Sequence, residues 1–175
     1  MKRFAKAALL LAASLGAAPA VAATELEVYD TYGRYTIIKP KEGANVCMLV
    51  GKDGSMEFNL LRAPNGSVFG FTLPPSEILL TSGGKVNLSL MMFFMENGEK
   101  QSVVIDRAFN ATSLKRGDTQ YSIMLKSTDD YRRFADAYLM GVKNGTEVVF
   151  AWDSRDLRPA MRLLSECAGI INDRL

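Results

Sequence analysis

The stretch Phe150-Ala-Trp-Asp-Ser-Arg-Asp-Leu-Arg-Pro-Ala-Met-Arg-Leu-Leu-Ser-Glu-Cys167 gathers more chemistry-bearing side chains than any other part of the chain. It holds the only tryptophan, three arginines, two aspartates and one of two cysteines. Trp and Arg dominate interaction hot spots, which makes Trp152, Arg155 and Arg158 the candidate binding residues. The simpler reading places Trp152 over the core where a strand meets a helix, with the arginines solvated. Asp153 and Asp156, with Asp106, Asp129 and Asp130, are also the carboxylates from which a hydrolytic pair would be drawn. Such a pair needs a defined separation across a cleft and one raised pKa. Four of these five sit at expected helix starts, where capping accounts for them.

Other motifs carry less. Ser82-Gly-Gly-Lys85 has the S-x-x-K spacing of a Ser nucleophile with a Lys base. Those enzymes place it at the start of a helix, and here two glycines between β-like runs make it a turn. Met91-Met-Phe-Phe-Met95 offers soft thioethers for copper(I). Strand alternation, however, sends Met92 to one face and Met91 and Met95 to the other, as in a strand packed on both sides. The chain has no histidine, which removes His-based triads and an imidazole base near neutrality. No zinc set of ordinary type can be assembled from two cysteines, and no cofactor is called for.

The N-terminus explains why the cysteines matter. Lys2, Arg3 and Lys6 precede an uncharged apolar run over residues 7–17, and small residues follow up to Ala22 and Ala23. This is the pattern of a secretory signal peptide over residues 1–23, cleaved after Ala22 or Ala23, and its Ala-rich character points to the bacterial periplasm. The run is shorter than the roughly 20 residues of a membrane span. Removing it takes away three of 21 basic residues and none of 19 acidic ones, leaving 18 against 19 and a net charge of −1. That balance, without a dense basic tract, excludes an electrostatic case for nucleic acid.

In an exported chain, Cys47 and Cys167 are expected to form one disulfide. C-x-x-C spacing is absent and both lie in apolar sequence, which speaks against a redox pair. Closing so long a loop would stabilise the fold by about 4–5 kcal/mol in the chain-entropy model.

The elements that must position these groups follow from turn signals and periodicity. Residues 24–175 are expected to form one domain. Short strands run from residue 24 to about residue 126, separated by Asp53-Gly54, Asn65-Gly66, Pro74-Pro75, Asn97-Gly98 and Arg116-Gly117-Asp118. Asn97-Gly98 is the strongest hairpin signal. From Ser127-Thr-Asp-Asp130 the period becomes helical, with Tyr131, Phe134, Ala135, Tyr138, Leu139 and Val142 on one stripe. Lys143-Asn144-Gly145 is expected to end this helix, and a further strand spans residues 147–151. A last helix presents Leu157, Met161, Leu164, Ala168 and Ile171 on one face, with Cys167 at its edge. Arg158, Arg162, Ser165, Glu166 and Asp173 fall opposite, and Asp153 or Asp156 is placed to cap.

The order helix, Gly turn, strand, helix, Cys in residues 134–167, together with the early Cys47 strand and the meander, resembles small alphaproteobacterial periplasmic proteins of the invasion-associated locus B type. The likeness implies an exported β-rich protein and transfers no functional residue. The expected fold is therefore α+β, an antiparallel β-meander closed as a sandwich or half-barrel, with two C-terminal amphipathic helices. The expected function is non-catalytic binding of another protein or envelope component, in an accessory or inhibitor role. A carboxylate-dependent hydrolase and a Met-based copper carrier are the alternatives. Nothing in the chain specifies an oligomeric state.

Overall fold

Tight polar turns set the register of the β-rich part. The computed structural model describes residues 25–43, 45–53, 56–73, 84–113, 118–125 and 128–170. Eight strands come first: β1 (Leu26–Tyr32), β2 (Tyr35–Pro40), β3 (Cys47–Asp53), β4 (Met56–Ala63), β5 (Gly66–Leu73), β6 (Lys85–Glu96), β7 (Glu99–Ser113) and β8 (Thr119–Leu125). Helix α1 (Thr128–Asp136), the strands β9 (Leu139–Asn144) and β10 (Glu147–Asp153), and helix α2 (Leu157–Cys167) follow. At the β6–β7 turn both Asn97 (φ 52°) and Gly98 (φ 82°) occupy the left-handed region that a two-residue hairpin demands. The ladder then runs without a shift from Glu96↔Glu99 to Lys85↔Asn110.

All ten strands belong to one antiparallel sheet in the order β1-β2-β3-β4-β5-β8-β7-β6-β9-β10. Chain neighbours pair throughout except at β5/β6 and β8/β9, where the chain steps across the sheet. The expected antiparallel α+β fold with two C-terminal helices is thus the observed one. Alternation puts Tyr35, Ile37, Leu49, Phe58, Leu60, Phe69, Phe71, Leu90, Met92 and Met140 on the inner face, all fully buried. A smaller cluster of Ile38, Met48 and Val68 lies on the opposite face.

The sheet curls strongly. Five strands separate β4 from β10 in sheet order, yet Trp152 of β10 stacks on Phe58 of β4 and Phe69 of β5, at centroid distances of 5.2 and 5.5 Å. Helix α2 packs on β1, β2 and β3 and also touches α1. The Cys47–Cys167 disulfide ties its C-terminal end to β3, with Cα atoms 6.0 Å apart.

Three expectations change. First, α1 stops at Asp136, and residues 139–144 form a strand rather than the rest of a helix. Tyr138 and Val142 stand four residues apart, a spacing that fits a helical stripe and a period of two alike, and β9 pairs on both sides, with β6 and β10. Gly141 suits that place, because a Cβ there would sit 3.2 Å from both Met91 Cε and the Phe150 carbonyl oxygen. Asn144 then ends β9, and Gly145 (φ 60°) serves the β9–β10 turn instead of capping a helix. Second, Ser165 lies on the buried side of α2, its Oγ 3.2 Å from the Tyr131 hydroxyl. Third, Asp156 occupies the N-cap position of α2 without a side-chain hydrogen bond, and the Leu157 N–H donates to the Ser154 carbonyl instead. Asp153 caps nothing either, since its carboxylate accepts from Arg155. Ser127, Gly54, Pro74-Pro75, Arg116-Gly117, Ile171, Asp173 and the segment ending at Ala22 and Ala23 lie outside the described residues.

Candidate functional site

The stretch from Phe150 to Cys167 divides in space. Trp152 is 1% exposed and belongs to the core, stacked on Phe150 (4.5 Å), Phe58 and Phe69 and tilted against Phe134. Its ring is therefore no part of a surface patch. Its buried Nε1 has no hydrogen-bond partner among the described residues, so among them the indole is held by packing in the apolar core. Arg155 and Arg158 do reach the surface, with side chains 74% and 46% exposed.

Between them they border an open groove of about 640 Å³. One wall is the end of β6, with Phe94, Met95 and Glu96; the other is α1, with Arg132, Arg133, Ala135 and Asp136. Ala137 and Tyr138, in the short link from α1 to β9, complete it with the two arginines of the α2 approach. The link is anchored at both ends: the Tyr138 N–H donates to the Phe93 carbonyl, and the Ser154 hydroxyl donates to the Ala137 carbonyl at 2.7 Å. Buried Ala135 and Ala137 lack the bulk to fill the space, which leaves a floor between longer side chains.

Four arginines thus face two carboxylates. Arg158 is paired with Asp136 at 2.5 Å, and Arg155 with Asp153. Arg132 and Arg133 are exposed and make no ion pair among the described residues. Sequence reading missed both. Their signal was their place beside the Tyr131 and Phe134 stripe of α1, and nothing local connects them to Arg155.

Arg155 also borders a second depression of about 500 Å³, with Arg34, Asp153 and Asp156. Hydrogen bonds from the Arg155 guanidinium and backbone N–H hold the Asp153 carboxyl down at about 2. A general acid needs the opposite shift, so Asp153 is not suited to that part. Burial pushes the nearby Tyr35 phenol up, against the opposing pull of Arg34.

The remaining candidates scatter. Asp130 pairs with Arg107 at 3.2 Å, and Asp106 accepts from the Ser89 hydroxyl on the other face of the sheet. Asp129 is exposed on α1. Met92 is fully buried while Met95 is 55% exposed on the opposite face, so the methionines of β6 do not converge. Lys85 opens β6, and Ser82 lies outside the described residues. No group of three or more metal-ligating His, Cys, Asp or Glu occurs among the described residues, and no described helix is long and apolar enough to cross a membrane.

No family model, curated protein or solved structure matches this chain.

Proposed function

We propose that the chain is an exported, non-catalytic protein of the periplasm that binds another envelope or extracellular macromolecule in an accessory or inhibitor role, through the groove between β6, α1 and the start of α2. The observation that carries this reading is the pair Arg132 and Arg133, exposed and without ion pairs among the described residues, beside Arg155 and Arg158 and the half-buried rings of Phe94 and Tyr138. Arginine supplies planar, multidentate recognition, and aromatic rings supply contact area at low entropic cost. The Cys47–Cys167 disulfide is compatible with an oxidising, exported compartment. The N-terminal pattern of residues 1–23 and the resemblance to the invasion-associated locus B type support export and say nothing of the partner.

The test is photo-crosslinking in intact cells of the source type, with a photoreactive residue at Tyr138 or, as control, at Asn65 in the β4–β5 turn. The expected result is a discrete macromolecular adduct from position 138 and none from position 65. Absence of an adduct at 138 would overturn the reading. Intact mass of the exported protein should begin at residue 23 or 24.

A further inference from the structure

The groove also says what chemical class of partner segment it takes, an inference that rests on the binding reading above. We infer that it receives an extended peptide segment of the partner in which carboxylates alternate with apolar side chains. Three observations carry this. The lining holds four arginines against Glu96 and Asp136, and two of the four, Arg132 and Arg133, are exposed without ion pairs among the described residues. A guanidinium fork matches a carboxylate in a bidentate way, so an incoming Asp or Glu completes a pair that the fold leaves open.

The second observation is the placement of the carboxylates. Glu96 and Asp136 line the groove together with the cations. They repel a dense polyanion such as a phosphate chain or nucleic acid, but leave room for single carboxylates spaced along a chain. The Asp136–Arg158 and Asp153–Arg155 pairs are solvent-exposed and screened, so a partner's carboxylate exchanges with them at little cost.

Third, the apolar part of the lining lies among the charges. Phe94 and Tyr138 are half-buried and Met95 is exposed beside them. Methionine adapts to varied apolar partners, and the aromatic faces accept a side chain laid over them. The volume, about 640 Å³, falls in the range of sites that hold a ligand of a few side chains.

The experiment uses the purified protein with a random peptide library displayed on phage, then fluorescence anisotropy on the selected peptide, its Asp/Glu→Asn/Gln counterpart, and vesicles containing phosphatidylglycerol. Selection is expected to enrich Asp or Glu interleaved with Phe, Leu or Met. The amide counterpart should bind at least about tenfold more weakly, and Arg133→Glu should weaken the acidic peptide by a similar factor, while Lys85→Glu at the far end of β6 leaves it unchanged. No acidic enrichment, equal binding of acid and amide peptides, indifference to Arg133→Glu, or saturable binding to the anionic vesicles with none to peptide would each overturn the inference. If the adduct at position 138 forms while these peptide results fail, the partner class is wrong and the binding reading stands. If no adduct forms, the binding reading itself falls.

Discussion

Trp152 lies over Phe58 with ring centroids 5.2 Å apart and planes inclined by 26°, although five strands separate β4 from β10 in sheet order. This contact records the curl of the sheet directly. It also turns the most prominent binding candidate of the sequence into a core residue.

Truncation of the indole should therefore act on stability. Trp152→Ala is expected to cost about 3–5 kcal/mol, as loss of a large buried ring does, and thermal denaturation should show a clearly lowered melting temperature. Trp152→Phe should cost less, because Nε1 makes no hydrogen bond to a described residue. An unchanged melting temperature for the Ala variant would refute the packing.

Gly51 faces Phe58 across the β3–β4 ladder, and a Cβ on it would come within 2.2 Å of the Phe58 ring. Gly51→Ala must displace that ring and, through it, the stack on Trp152. We expect a loss of about 1–3 kcal/mol, typical of overpacking, accompanied by a changed Trp fluorescence or near-UV circular dichroism signal. A stable variant with an unaltered Trp signal would contradict the geometry.

Reduction of Cys47–Cys167, or its replacement by two alanines, should cost about 2–5 kcal/mol. The bond closes a separation of 120 residues and pins α2 across β3. Denaturant titration with and without reductant measures the difference, and coincident curves would show that α2 docks equally well without the bond.

Asp153 should titrate near 2, below its ordinary 3.8, because Arg155 hydrogen-bonds its charged form. The folded value lies below the unfolded one, so the stabilisation is complete above about pH 4 and is lost as pH falls towards 2. With an Asp153 side chain 41% exposed, the effect on stability should stay under about 1 kcal/mol. Carboxyl NMR is the sensitive measurement: the Asp153 midpoint should rise towards its ordinary value in Arg155→Ala, and a midpoint that stays put would remove Arg155 as the cause.

Features that depend on near neighbours were legible in the sequence. Asn97-Gly98 gave its hairpin because only residues tolerant of positive φ fit a two-residue turn. The buried positions Leu157, Met161 and Leu164 of α2 follow from helical spacing. The pairing of Cys47 with Cys167 followed from having two cysteines in an exported pattern. Where one pattern fits two periods, local reading failed. Residues 138–142 suit a helix stripe and an alternating strand alike, and pairing with β6 and β10 chose the strand. Ser165, read by angle onto the outer side of α2, stands four residues after Met161 and shares its buried side, where its hydroxyl meets that of Tyr131.

The candidate site belongs wholly to the second kind. Phe94 and Met95 come from β6, Arg132 and Arg133 from α1, and Arg155 and Arg158 from the approach to α2. By itself the sequence determined the strands other than β9, the amphipathic face of the last helix and the disulfide, since each is set by spacing within one segment or by residue count. Only the tertiary structure decided that Trp152 is buried and that these arginines share one groove, because both depend on how far the sheet curls, and that curl is the summed outcome of contacts between strands distant in the chain.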